Sequence, residues 1–177
     1  MAKKFKVGVI GAGFIGPAHM EGIRRQGFEV TAVAASGLES SQEAADRLLI
    51  PKAYGEWREL VEDPELDVVH ITSPNHLHFE QAKACLEAGK HVICEKPLAM
   101  TAKEALKMYK AAQQAGVVHM TAFNYRQVPA IIYAKAMIDA MPLVDKIKNS
   151  LEPIDALWFF LAIGSAFKLG AGLTGDD

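Results

Sequence analysis

The sequence predicts an α/β protein built on a doubly wound parallel sheet, and three observations predict it. Apolar runs alternate with amphipathic segments from residue 5 to about residue 122, the β-α-β-α order that right-handed crossovers turn into a parallel sheet. The apolar run Lys6-Val7-Gly8-Val9-Ile10 leads directly into Gly11-Ala12-Gly13-Phe14-Ile15-Gly16, a G-x-G-x-x-G turn between a strand and a helix. Residues 67–72 read as a continuous apolar strand broken only by His70, as expected where both faces of a sheet are covered.

Taken in order, residues 5–10 form the first strand and 14–26 the first helix, which Gly27 stops as a C′ residue. Residues 29–35, rich in Val and Ala, form the second strand. Ser40 and Glu43 make a capping box for a helix running to about residue 49, which Pro51 ends. Tyr54 marks a short strand and 56–62 a short helix. After the strand at 67–72, Ser73-Pro74-Asn75 turns the chain into a helix over 76–88, with Asn75 as N-cap and Gly89 as stop. Residues 91–95 form another strand. Thr101 and Glu104 box the start of a helix that Gly116 ends, and 117–123 is a further strand.

The pattern then changes. Residues 129–140 read as helical, Met141-Pro142 interrupts, and Pro153 breaks the chain again. Residues 156–173 carry one charge, Lys168, and include Phe159, Phe160 and Phe167, with apolar side chains all round the helical wheel. The expected organisation is a dinucleotide-binding domain over 1–126 and, over 127–177, a short helical, apolar extension, either a remnant or the start of a substrate domain. The uncharged run at 156–167 is shorter than the roughly 20 residues of a membrane span, so packing or self-association is the expected use of the tail.

The formal net charge of −2 supplies no basic field for nucleic acid. Half the residues are hydrophobic and 23% are charged, as in ordinary globular proteins. Cys85 and Cys94 lack metal-type spacing and suggest reduced, buried thiols. No signal-peptide core fits the N-terminus, so a cytoplasmic location is expected. His19, His70, His91 and His119 are scattered over helix and strand positions and read as structural, and no metal is expected.

The glycine turn carries the chemistry. Gly11 permits the tight turn, Gly13 leaves room for a pyrophosphate, and Gly16 lets the helix pack against the strand. The helix N-terminus offers free N–H groups and a partial positive charge to phosphate. An Asp or Glu at the end of the second strand would hold a ribose 2′-OH, but Ala34-Ala35-Ser36-Gly37 stands there. NAD and NADP therefore both remain open, with a lean toward NADP. Ligands gather outside the carboxyl ends of parallel strands, where Ser73-Pro74-Asn75-His76-Leu77-His78, Glu95-Lys96-Pro97 and Asn124-Tyr125-Arg126 fall. Asn75 and His78 serve equally well as a helix cap and as a binding wall. Lys96 is suited to moving a proton at a hydroxyl under oxidation, or else to a surface ion pair of little energetic weight. A cis Pro97 would aim it inward.

Together, G-A-G-F-I-G, S-P-N-H-L-H, G-K-H-V-I-C-E-K-P-L-A and F-N-Y-R-x-x-P resemble the Gfo/Idh/MocA oxidoreductase family over residues 4 to 135. The resemblance implies a Rossmann domain followed by an α/β substrate domain, with NAD(P)-dependent oxidation or reduction of a sugar, polyol or similar compound. It implies that Gly11, Gly13, Phe14, Ile15 and Gly16 hold the pyrophosphate and that Ser36 lies near the adenosine ribose. Ser73, Pro74, Asn75, His78, Glu95, Lys96 and Asn124 would line the cofactor, Lys96 would be the active-site lysine, and Arg126 would lie near the substrate. The family's second domain supplies an Asp and, a few residues on, a His as acid/base, and no His follows His119 here. The expected function is thus a dehydrogenase of the sugar or polyol type with little turnover from these 177 residues alone. The alternative is a non-catalytic NAD(P)-binding module or fragment, with a homo-oligomer formed through the tail.

Overall fold

A computed structural model describes residues 4–140. Six strands form one parallel sheet: β1 (Lys6–Ile10), β2 (Glu29–Ala34), β3 (Lys52–Tyr54), β4 (Val68–Ile71), β5 (His91–Glu95) and β6 (His119–Ala122). Their order is β3-β2-β1-β4-β5-β6. The connecting helices are α1 (Gly16–Arg25), α2 (Leu38–Leu48), α3 (Trp57–Glu62), α4 (His78–Glu87) and α5 (Ala102–Ala115). The predicted doubly wound α/β fold is therefore present. The strand order reverses between β1 and β4, and such a reversal opens a crevice at the strands' carboxyl ends.

The chain divides into two units, Met1–Phe123 and Asn124–Asp177. In the second, a 3-10 turn at Asn124–Gln127 precedes α6 (Pro129–Asp139). Pro129 opens that helix, where its missing N–H costs no hydrogen bond, and Ile132, Tyr133 and Met137 lie exposed along it. The expectations for Met141-Pro142 and for the apolar stretch 156–173 lie outside the described residues.

Side chains alternate across the sheet and build a separate core on each face. Val7, Val9, Val30 and Val33 pack with Met20, Ile23, Ala44 and Ala45 of α1 and α2. Ile10, Ala32, Val69, Ile71, Val92 and Cys94 pack with Leu60, Leu86, Met108 and Ala112 on the other. The register between β1 and β2 shifts after Val7, which is why Val30 and Val33, three residues apart, share a face. Cys85 and Cys94 are free and buried, and burial pushes both thiols up to about 12, so they remain protonated and inert.

Most predicted element boundaries hold within a residue or two. The Thr101–Glu104 capping box is present in both directions, and Gly27, Gly89 and Gly116 take the left-handed backbone that stops their helices. Two local readings need correction. The helix expected to start at Ser40 starts at Leu38, with Gly37 as N-cap. Ser40 and Ser41 instead donate their hydroxyls back to the Gly37 carbonyl, and Ser41 Oγ accepts from Ala35 N at 2.7 Å. That tie pulls the helix start toward the end of β2. Asn75 is not a side-chain cap either. It opens a 3-10 turn, Asn75–Leu77, and α4 follows from Leu77 without a side-chain cap. The tighter turn satisfies Leu77 N–H on the Pro74 carbonyl at 2.9 Å.

Candidate dinucleotide site

Gly11 follows β1 with φ +100°, and its N–H donates to Ala34 O at 2.7 Å, fastening the turn to the end of β2. A β-carbon there would approach Ser73 N and the Thr72 carbonyl to 2.7 Å, so glycine is required by conformation and by space alike. Gly16 is enclosed against the Gly11 carbonyl, and any side chain would collide with it. Gly13 is the opposite case: a β-carbon there would meet no protein atom within 4 Å. The three glycines thus divide into two that close the turn and one that leaves its outer side clear.

The helix behind the turn suits an anion. α1 has no side-chain cap and no acidic residue in its first turn, so its N-terminal N–H groups point outward unopposed by a carboxylate. Phe14 is fully exposed and Ile15 half-buried. Thr72, which the sequence reading passed over, braces the turn from β4: its hydroxyl donates to Gly11 O at 2.6 Å and lies 3.1 Å from Ile10 O. An uncapped helix end and an open Gly13 fit a dinucleotide pyrophosphate.

The other predicted residues are found in different states. Ser36 is exposed after β2, and its hydroxyl lies 3.1 Å from that of Ser40. Pro74 and Asn75 are exposed beyond β4, whereas Ser73 turns its hydroxyl onto Gln81 of α4 at 2.5 Å. His78 had been expected to line a cofactor or support a cap, but its ring is fully buried. Nδ1 faces Pro97 O at 2.7 Å and Nε2 faces Ser73 O at 2.9 Å. The ring thereby ties the loop after β4 to the loop after β5. Lys96 is exposed at the end of β5 and is joined to Pro97 by a cis peptide bond. Asn124 and Arg126 lie exposed on the 3-10 turn of the second unit.

Glu95 is held at both oxygens. Lys96 N–H donates to Oε2 at 3.0 Å, and His19 Nε2 lies 3.0 Å from Oε1. His19 Nδ1 in turn lies 2.9 Å from His70 Nδ1. The two histidines were read as separate structural residues, yet α1 and β4 bring them into one chain with β5. Among the described residues no group of three His, Cys, Asp or Glu side chains could hold a metal ion.

The family model described as "Oxidoreductase family, NAD-binding Rossmann fold" matches residues 5–123. Levoglucosan dehydrogenase of Pseudarthrobacter phenanthrenivorans is 41% identical over 146 residues, covering 77% of this chain and 37% of that protein. The 1,5-anhydro-D-fructose reductase of Ensifer adhaerens is 42% identical over 135 residues, covering 76% of this chain and 40% of the reductase. The structure of levoglucosan dehydrogenase in complex with NADH and levoglucosan superposes with a TM-score of 0.69 at 42% identity, over 77% of this chain and 39% of that one. The chain therefore spans about two-fifths of the length of these curated relatives. With the parallel sheet, the glycine turn and the E-K-P strand end all in the expected places, the chain belongs to the Gfo/Idh/MocA family of oxidoreductases with an NAD-binding Rossmann fold.

Proposed function

We propose that this chain forms the cofactor-holding part of an NAD(P)-dependent dehydrogenase acting on a sugar or polyol-like hydroxyl or carbonyl compound. The observation that carries the reading is the turn at Gly11–Gly16, closed by two glycines and open at the third, set before an uncapped helix end. The sugar class is supported by the relatives, a levoglucosan dehydrogenase and an anhydrofructose reductase. Backbone N–H groups at Gly13, Phe14 and Ile15 hold the pyrophosphate, and Ser36 meets the adenosine ribose. Pro74, Asn75 and Asn124 contribute to the cofactor's surroundings. With Ala34-Ala35-Ser36-Gly37 and no carboxylate at the end of β2 itself, both NAD and NADP are accommodated.

When bound, the nicotinamide supplies hydride acceptance or donation at its C4. Lys96 moves the proton at the reacting oxygen: it takes it from a hydroxyl under oxidation and returns it to a carbonyl under reduction. Arg126 orients the substrate. Residues 127–177 begin or replace the substrate-binding part, and a cytoplasmic location fits the two free cysteines.

Titration of NADH and NADPH into the 177-residue chain, followed by nicotinamide fluorescence, tests the cofactor half. Saturable binding of at least one is expected, and none for either ends the reading. Turnover of NAD+ or NADP+ with levoglucosan, xylose and inositol separates enzyme from module. The second reading is a binding module without efficient chemistry. It predicts binding with no lysine-dependent turnover, whereas the first predicts activity that Lys96→Met abolishes.

A further inference from the structure

The sheet alternation sends Val69 and Ile71 of β4, and Val92 and Cys94 of β5, into one core. His70 and Glu95 consequently point to the opposite face, where α1 lies. His19 lies in line with Gly16 and Ile23, the buried residues one turn to either side of it on α1. The result is a line of three polar side chains sunk into an otherwise apolar layer. His70 is 8% exposed, and the His19 and Glu95 side chains are 12% and 14% exposed. Three such residues have no reason to be there for packing alone, since an unpartnered buried polar group destabilises a core.

Hydrogen-bond chemistry fixes the direction of the line. An ionised carboxylate accepts only, so His19 Nε2 carries the proton facing Glu95 Oε1 at 3.0 Å. With both rings neutral, His19 Nδ1 is then bare and must accept. The donor across the 2.9 Å gap is Nδ1–H of His70. Each tautomer is thereby set by the next partner along, and the line ends on a carboxylate whose second oxygen receives Lys96 N–H at 3.0 Å. The rings cross edge to face at 87°, with centroids 5.2 Å apart. Burial, and secondarily the neighbouring His19, lower His70 to about 4, consistent with a neutral ring at its inner end.

We propose that His70 and His19 are positioning residues, a two-imidazole strut that holds the Glu95 carboxylate in one orientation against the backbone of Lys96. Glu95 ends β5 and Lys96, which follows it, is the residue that moves the proton in the reading above, and the strut rests on that reading for its purpose. It does not rest on it for its existence. His19 lies one helical turn from the glycine turn, so the same side chain couples the phosphate-binding helix to the strand end that carries the lysine. The strut explains why two histidines, and not two leucines, occupy this layer.

The test uses the full 177-residue chain labelled with 15N-histidine. Long-range proton–nitrogen correlation near pH 7.5 is expected to show His70 as the Nδ1–H tautomer and His19 as the Nε2–H tautomer. His19→Gln and His70→Asn spectra make the assignment. An Nε2–H tautomer on His70, or averaged nitrogens on both rings, overturns the strut. The second arm is affinity for NADH. His70→Leu removes the inner donor and is expected to weaken binding about tenfold, the scale of one lost buried hydrogen bond. His70→Asn keeps a donor near the Nδ1 position and is expected to restore affinity to within about threefold of wild type. A folded His70→Leu chain that binds NADH as wild type does overturns the positioning role. If His70→Leu does not fold, the wild-type tautomers decide the strut, and the NADH affinities of His19→Leu and His19→Gln take the place of the Leu-to-Asn comparison. Failure of the wild-type chain to bind NADH or NADPH would sink the cofactor reading, while the tautomers would still decide the strut.

Discussion

Among the described residues, side chains at the N-terminal ends of the strands pair with one another, and several at the C-terminal ends are exposed. Lys52 Nζ bonds Asp63 at 2.9 Å and Glu65 at 2.6 Å, Tyr54 OH donates to Asp63 at 2.8 Å, and Lys6 reaches Glu65 at 2.9 Å. Beneath them the buried Lys90 ammonium donates to the Asp63 and Leu66 carbonyls, both at 2.8 Å. Burial raises the Asp63 carboxyl, but its hydrogen bonds from Lys52, Glu65 N–H and Tyr54 outweigh that and hold it at about 2. At the other end Gly13, Phe14, Pro74, Asn75 and Lys96 are exposed. Polar side chains at one end are spent on each other. At the other they hold loops from behind, through Thr72, His78 and Glu95.

Substitutions should therefore separate stability from binding according to which end they strike. The largest effect is expected from Gly11→Ala, which forces a left-handed φ and a backbone collision at once. It should cost about 3 kcal/mol of unfolding free energy and abolish NADH binding together. Urea denaturation and NADH titration check both, and a stable, binding-competent variant would break the account of the turn.

Lys90→Met should be purely a stability change. It leaves two buried carbonyls without their donor and should cost about 2 kcal/mol, while NADH affinity in the folded protein stays as in wild type. An affinity loss here would erase the division between the two ends.

Gly13→Val is the mirror image. The denaturation midpoint should hold, because the added side chain meets only open space in the free protein. Affinity for NADH should fall about tenfold or more, since the branched side chain occupies the volume left for the pyrophosphate.

The smallest effect is a matter of pH. The stabilising contribution of neutral His70 is present above its ordinary 6.5 and is lost as pH falls toward about 4. That of ionised Asp63 is present above its ordinary 3.8 and is lost toward about 2. In both windows the unfolded chain binds more protons, so stability falls with acid. Denaturation midpoints from pH 7.5 to 3 should show the first decline, and His70→Asn should flatten it while leaving any loss below pH 4 in place.

The front of the site was legible and its back was not. Gly11–Gly16, Ser36, the residues after β4 and Lys96 could be placed at strand ends because strand ends, glycines and turn residues are local signals. Residues such as Asn75 and Ser40 misled for the same reason: a good capping residue was credited with a cap when the tighter turn at Pro74 and the pull of Ser41 on β2 had already set the helix start. Thr72 carried no signal at all, because a threonine at the end of a strand is ordinary until the neighbouring turn needs a donor.

The sequence alone determined the parallel α/β order, the glycine cradle and the helix stops, since each depends on residues within a turn or a strand of one another. Tertiary structure decided the rest: that His19 meets His70 across 51 residues and Glu95 across 76, that His78 is enclosed between two loops, and that Lys90 is bonded beneath the sheet. The register of parallel strands is set by how their crossover helices pack, and no local pattern records that distance.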